Sequence, residues 1–349
     1  MVSKGLMNKV QQEDINLFAQ QFTDREELSH STFLITGATG LIGSTLCFCL
    51  MQMNRDYHTD IHLLCPVRNR PKAEKLFEGF GDYLTIFSET LTDFIASYEH
   101  PIDYIIHCAS PTNSRYMVSN PVETYTYTIE TTLQLLRYAC QHPVKGMVYI
   151  SSLEYYGESN QTDLISEDYE GYVNASSPRS SYPMGKRAAE YACFAYAAEY
   201  HVPVKIARLT QTFGAGISAN DNRVFAQFMR AAIQGKDIIL KSSGMSSKPY
   251  CYTTDTASGI LFILLRGKNG DAYNVSNDNT YISINDMAQL VRDHFAKDIK
   301  IIHDFDPNSC YAPDTLLHLS SAKLQALGWQ PKYNLLQMYE RLYLSLKES

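Results

Sequence analysis

Tyr182 and Lys186, in the run Tyr182-Pro183-Met184-Gly185-Lys186, are spaced for acid–base chemistry. Four residues apart on a helix, they share one face with about 5–6 Å between Cβ atoms. A neighbouring ammonium favours phenolate over phenol and is expected to lower a tyrosine pKa from about 10. Tyr182 then becomes a base for a sugar hydroxyl while hydride leaves the same carbon. The loop Ser151-Ser152-Leu153-Glu154-Tyr155-Tyr156-Gly157 supplies two more polar groups. Ser152 can hydrogen-bond the reacting oxygen beside Tyr182. Glu154 can manage a second proton or orient a substrate. A helical Tyr/Lys pair is common and a lone loop acid is usually just solvated, so these residues gain meaning only in combination.

The partner feature is the run Thr32-Phe33-Leu34-Ile35-Thr36-Gly37-Ala38-Thr39-Gly40-Leu41-Ile42-Gly43. A short apolar strand ends in a glycine-rich turn, and Leu41 to Met51 reads as the following helix. Such a turn aims backbone N–H groups and a helix N-terminus at a pyrophosphate. Gly37 permits the turn, Gly40 lets backbone approach phosphate, and Gly43 lets helix pack on strand. Gly37, Thr39, Gly40, Leu41, Ile42 and Gly43 are therefore candidate cofactor contacts, and Tyr182 and Lys186 would meet the same cofactor. The next strand ends Cys65-Pro66-Val67-Arg68-Asn69-Arg70, with no acid to hold a ribose 2′-hydroxyl. Arg68 or Arg70 could instead pair with a 2′-phosphate. The cofactor is NAD or NADP, and these residues lean slightly to NADP.

These residues must be held by a regular scaffold. Apolar runs Thr32–Thr36, Ile61–Val67, Tyr83–Phe87, Ile102–Cys108, Met147–Ser151 and Val204–Leu209 alternate with helical patterns. That alternation predicts an α/β fold, a doubly wound parallel sheet of Rossmann type. Ligands there bind beyond the carboxyl ends of strands, which is where Ala109, Ser110, Ser152 and Gln211 fall. Past about residue 210 the pattern turns irregular: Arg223–Gln234 and Thr254–Leu265 read as helices and Ile238–Leu240 as a short strand. Ser283 reads as the N-cap of a further helix. The expected organisation is an N-terminal extension over 1–30 and a dinucleotide-binding domain over 31–210, with returning segments at about 236–265. Residues 211–349 mainly form a small C-terminal α/β substrate lobe. Within the extension, Ile15, Leu17, Phe18 and Phe22 suggest a short docking helix.

Composition narrows the partners. The 349 residues are 45% hydrophobic and 19% charged, an ordinary globular balance. A formal charge of −7 and the lack of a Lys/Arg run argue against nucleic acid. No apolar stretch approaches the roughly 18 residues of a membrane span, and residues 1–30 do not read as a secretory signal. Eight cysteines and ten histidines show no metal spacing. Cys65, Cys108, Cys193 and Cys251 sit in apolar surroundings, so a cytoplasmic protein without disulfides and without a metal is expected.

With its glycine turn, Ser-Ser loop and Tyr182/Lys186 pair, the chain resembles the extended short-chain dehydrogenase/reductases, specifically the nucleotide-sugar epimerases, dehydratases and decarboxylases. The resemblance runs from about Thr32 to Leu327-Gly328-Trp329. It is closest to UDP-glucuronate decarboxylases in several stretches: His107-Cys108-Ala109-Ser110-Pro111, Tyr116-Met117, Asn120-Pro121, Pro178-Arg179-Ser180-Ser181-Tyr182, Gly185-Lys186-Arg187, Arg208 through Gly214, and Asp221-Asn222-Arg223-Val224. It implies that Ser152, Glu154, Tyr182 and Lys186 are catalytic. Gln211, Arg223 and Lys248 would contact the nucleotide or diphosphate of a nucleotide-sugar substrate. A homodimer is implied through helices containing Thr124–Cys140 and Pro183–Tyr200. The chain also departs from the pattern: Leu153 stands where a small polar residue is usual, Gln211 replaces asparagine, and Lys248 replaces arginine, losing a bidentate fork.

Overall fold

The protein is described from a computed structural model over residues 7–304 and 314–348. Among the described residues twelve strands are formed: β1 Thr32–Thr36, β2 His62–Pro66, β3 Leu84–Phe87, β4 Tyr104–His107, β5 Gly146–Ser152, β6 Val204–Leu209, β7 Gln211–Phe213, β8 Ile238–Leu240, β9 Ser247–Tyr252, β10 Ala272–Val275, β11 Asn277–Ser283 and β12 Ile301–His303. Seven of them make one sheet in the order β3-β2-β1-β4-β5-β6-β10, with every neighbouring pair parallel. The strand order reverses between β1 and β4, which opens a crevice at their carboxyl ends.

Helices cover both faces, as an all-parallel sheet requires. On one face Leu46, Leu50, Ile260 and Leu264 pack on the sheet, and on the other Leu135, Leu136, Ala189 and Cys193 do so. Most of these strands consequently read as apolar runs rather than alternating ones, although β6 carries the buried Lys205 and Arg208. Helix Leu41–Tyr57 continues well past Met51 and ends on His58 in the left-handed region. Helix Lys9–Gln21 packs on helix Leu41–Tyr57 through Ile15 and Phe18, and Phe22 just beyond it is also buried. Leu17, which the sequence groups with them, faces outward.

The remaining strands build the smaller lobe: β11-β9-β7 as one sheet and β12-β8 as a pair. Helices Val224–Gln234, Ile284–Phe295 and Leu335–Glu348 close around Phe213, Phe225, Tyr250 and Tyr339. The return to the main sheet differs from the expected 236–265. Residues 238–240 stay in the lobe, paired with β12. Helix Thr253–Arg266 and β10 go back, so the returning stretch is 253–275. Ser283 accepts a hydrogen bond from the Asp286 backbone N–H and caps helix Ile284–Phe295.

Candidate active site

The glycine turn lies at the crevice. Gly37 has φ +69°, and a Cβ there would lie 2.8 Å from the Ala109 backbone nitrogen. A Cβ on Gly43 would lie 2.4 Å from the Gly37 carbonyl oxygen. Both positions therefore exclude any side chain, and the loops after β1 and β4 close on one another. Gly40 is the N-cap of helix Leu41–Tyr57 and offers no side chain to cap it. The backbone N–H groups of Leu41, Ile42 and Gly43 belong to the helix's uncapped first turn. Ser110 Oγ, across the crevice, is buried with no partner among the described residues. An uncapped helix end, a side-chain-free cradle and an orphaned hydroxyl fit the diphosphate of a dinucleotide.

Thr36 and His107 lock the base of this cradle. Thr36 Oγ1 is 2.6 Å from His107 Nδ1 and accepts the Ala109 N–H at 3.2 Å. Burial pushes the His107 pKa down to about 3, so the imidazole is neutral. Arg68 is exposed, 5.8 Å from the Tyr127 ring centroid. Lys72, not singled out from the sequence, donates to the Thr39 carbonyl at 3.1 Å, while Arg70 is paired with Glu74 at 2.7 Å. Those positions put two cationic side chains that have no carboxylate partner, Arg68 and Lys72, beside the loops ending β1 and β2.

The candidate acid–base group sits at the carboxyl end of β5. Tyr182 is 7% exposed, on the first turn of helix Ser181–Tyr200, with the Ser152 hydroxyl near its phenol. The expected lowering of the Tyr182 pKa is reversed. Burial first, then the nearby Glu154 charge, raise it above the ordinary phenol range, with Ser152 and Arg179 acting the other way. Lys186 is not among the groups that lower it. Its ammonium donates to the Ile150 carbonyl at 2.7 Å and lies 5.6 Å from the Tyr182 ring centroid. Lys186 itself is 2% exposed, and burial lowers its pKa to about 8 against the opposing pull of Glu190.

Glu154 is not a free loop acid. Arg179 Nη2 lies 2.8 Å from each of its carboxylate oxygens. Lys248, on β9, is close enough to feel both Glu154 and Arg179. Ser152, Glu154, Arg179, Tyr182 and Lys248 thus form one cluster. Gln211 begins β7, paired with Tyr250 two residues along β9 from Lys248. Arg223 stands farther out: it is exposed, paired with Asp221 at 2.6 Å, and donates to the Thr212 carbonyl at 3.2 Å. Leu153 is 2% exposed and packs with Tyr156, Ile165, Leu317 and Leu319, so its side chain belongs to a small core.

Beneath the loop runs a buried network that sequence reading did not isolate. Arg208 on β6 binds Glu190 through Nε at 3.0 Å and Nη2 at 2.8 Å, the two side chains being 3% and 0% exposed. Ser151 donates to the same carboxylate. Arg208 Nη1 reaches Tyr156 Oη at 3.1 Å, and Tyr156 donates to Asn274 Oδ1 at 2.6 Å. Among the described residues no cluster of His, Cys, Asp or Glu could hold a metal, and no helix is long and apolar enough to cross a membrane. The seven described cysteines are all free thiols, with Cys47 and Cys65 3.9 Å apart through sulfur.

A parallel doubly wound sheet with this cradle and a Tyr/Lys helix defines a dinucleotide-dependent enzyme of the short-chain dehydrogenase/reductase type. The NAD dependent epimerase/dehydratase family model matches residues 33–276, and the chain belongs to that family. Among curated relatives, UDP-glucuronic acid decarboxylase 1 of Danio rerio is 29% identical over 334 residues, 93% of this chain and 75% of that protein. UDP-glucuronic acid decarboxylase 3 of Arabidopsis thaliana is 30% identical over 311 residues, 86% of this chain and 85% of that one. The solved UDP-glucuronic acid 4-epimerase from Bacillus cereus, in complex with UDP-glucuronic acid and NAD, shares the fold. Its TM-score is 0.75 at 20% identity, covering 91% of this chain and 99% of that one. The dTDP-glucose 4,6-dehydratase from Bacillus anthracis, in complex with NAD, gives 0.74 at 19%, covering 91% and 97%.

Proposed function

We propose that this enzyme modifies a nucleotide sugar through oxidation at C4, and that the substrate is a UDP-glucuronate-like sugar that loses carbon dioxide. The observation that carries this reading is the convergence of Ser152, Glu154, Tyr182 and Lys248 beside the glycine cradle, with Lys186 behind them. A bound nicotinamide dinucleotide would supply the hydride acceptor, and later the donor, at C4. Tyr182, once it has lost its own proton to solvent beside the positive charges of Lys186 and a bound nicotinamide, would take the 4-hydroxyl proton, and Ser152 would hold the same oxygen. Lys186 holds the cofactor ribose and places a positive charge behind Tyr182. A 4-keto group lies β to a carboxylate on C5, so the electrons left by departing carbon dioxide delocalise into that ketone. Glu154 orients the sugar and manages protonation at C5. Gln211, Arg223 and Lys248 hold the nucleotide diphosphate.

Epimerisation at C4 would use the same first step and differ only in how the keto sugar turns before reduction. Dehydration ranks lower, because the buried apolar Leu153 offers no acid to expel a C6 hydroxyl. The cofactor is NAD or NADP; Arg68 and Lys72, with no carboxylate between them, favour NADP. The working form is a homodimer in the cytoplasm. Incubating UDP-glucuronate with the protein and either cofactor, followed by mass spectrometry, tests the reading. Loss of carbon dioxide supports decarboxylation, and an unchanged mass with no C4 epimer rejects UDP-glucuronate as substrate.

A further inference from the structure

Each polar atom of the His107 side chain has a determined role. The imidazole is 1% exposed at the end of β4, between Thr36 at the end of β1 and Thr131 within helix Pro121–Gln141. Thr131 Oγ1 donates its one proton to the Tyr127 carbonyl at 2.7 Å, so toward His107 Nε2, 3.3 Å away, it can only accept. Nε2 therefore carries the hydrogen. Burial keeps the ring neutral, which leaves Nδ1 a bare acceptor for the Thr36 hydroxyl at 2.6 Å. Thr36 Oγ1 in turn accepts the Ala109 N–H at 3.2 Å. The opposite tautomer would leave the proton of the buried Thr36 hydroxyl without an acceptor among the described residues. Such an orphaned donor is costly.

This directed chain ends one residue before Ser110, whose hydroxyl is buried with no partner among the described residues. Ala109 stands so close to Gly37 that a Cβ there would lie 2.8 Å from its nitrogen, so the turn has little room to shift. With its N–H committed to Thr36, Ala109 has no amide hydrogen to offer a ligand, and the free donor of the turn is the Ser110 hydroxyl. We propose that His107 is a positioning residue for the dinucleotide: as the Nε2–H tautomer it holds Thr36 and Ala109 so that the Ser110 hydroxyl meets the bound cofactor. His107 itself touches no ligand. The assignment rests on the dinucleotide part of the preceding reading and is independent of the sugar.

Nitrogen NMR of histidine-labelled protein at pH 7 reads the tautomer, with His107 assigned by the signals that disappear in His107→Asn. A neutral ring protonated on Nε2 is expected; protonation on Nδ1, or on both nitrogens, overturns the assignment. Calorimetric titration with NAD and NADP reads the consequence. Ser110→Ala and His107→Leu should each weaken the tighter dinucleotide by about 10-fold, the worth of one hydrogen bond. The double variant should lose no more than either alone, because His107 acts through Ser110. His107→Asn should keep near-parental affinity, since its amide oxygen takes the place of Nδ1 as acceptor for Thr36. If His107→Leu does not fold, Thr36→Val, which breaks the same link at nearly the same shape, replaces it in the cycle. Losses that multiply in the double variant, or an Asn variant as weak as the Leu one, reduce His107 to a structural residue and overturn the assignment alone. A parent protein that binds neither dinucleotide overturns the dinucleotide reading with it.

Discussion

Tyr182 is the residue on which the proposed chemistry turns, and its surroundings hold it as a phenol in the unliganded protein. Burial and the Glu154 charge act together to raise its pKa. A Tyr182→Phe variant is expected to bind the dinucleotide normally and to lose turnover by about 100- to 10,000-fold, the usual range for a positioned acid or base. Stopped assays alongside a cofactor titration would show the split, and undiminished turnover would remove Tyr182 from the mechanism. Lys186 gives the site its own pH limit. Because its pKa is lowered to about 8, the ammonium is present below that value and lost as pH rises through it. Dinucleotide affinity, followed by fluorescence from neutral to alkaline pH, should therefore weaken above about pH 8. The inflection should vanish in Lys186→Met. The spacing of Tyr182 and Lys186 was readable in the sequence, but their electrostatics were not. A four-residue separation fixes a shared helix face, not the Ile150 carbonyl that takes up the ammonium.

At the level of elements, β5, β6 and β10 are tied beneath the Ser152–Gly157 loop by Ser151, Glu190, Arg208, Tyr156 and Asn274. Glu190 follows Lys186 by one helical turn, so the same carboxylate anchors the loop and supports the Lys186 charge. Glu190→Gln would leave the Arg208 guanidinium buried without its counter-ion. It should destabilise the fold by about 3–5 kcal/mol in urea unfolding, the cost of breaking a buried pair from one side. A loss below about 1 kcal/mol would mean that water or Tyr156 alone satisfies Arg208. This network also explains why β10 escaped the sequence reading. Ala272–Val275 is four residues long and carries a polar Asn274, whose side chain accepts from Tyr156 and donates to the Ser320 carbonyl at 3.0 Å. The six earlier strands were legible because most of their residues are apolar, although β6 also carries the buried Lys205 and Arg208. Arg179 was quoted in a motif without a role, since its partner Glu154 comes from another loop and no local spacing links them.

For the whole molecule, the N-terminal helix joins parts that the family match at 33–276 leaves separate. Asp14, 2% exposed, accepts from Tyr252 and is paired with Arg341 of the C-terminal helix. Phe22 from the same segment meets Phe262 edge-on at 5.9 Å. The extension thus contacts both the main sheet's helix layer and the smaller lobe, a role that its few apolar residues only partly announced. On the opposite side, Val122, Tyr125, Tyr191 and Tyr200 lie exposed on helices Pro121–Gln141 and Ser181–Tyr200, with Tyr191 at 73%. Large apolar groups left in water on two adjoining helices are what a partner copy would cover. Light scattering should find a dimer, and Tyr191→Glu should shift it toward monomer without lowering the melting temperature of the dilute protein. A monomeric parent protein would contradict the dimer.

The proposed reaction begins with removal of hydrogen from C4. UDP-glucuronate carrying deuterium at C4 tests it directly. Single-turnover oxidation should be slower than with the protiated sugar, and deuterium should be retained at C4 of the decarboxylated product. Unchanged oxidation rates together with loss of the label to solvent would contradict it.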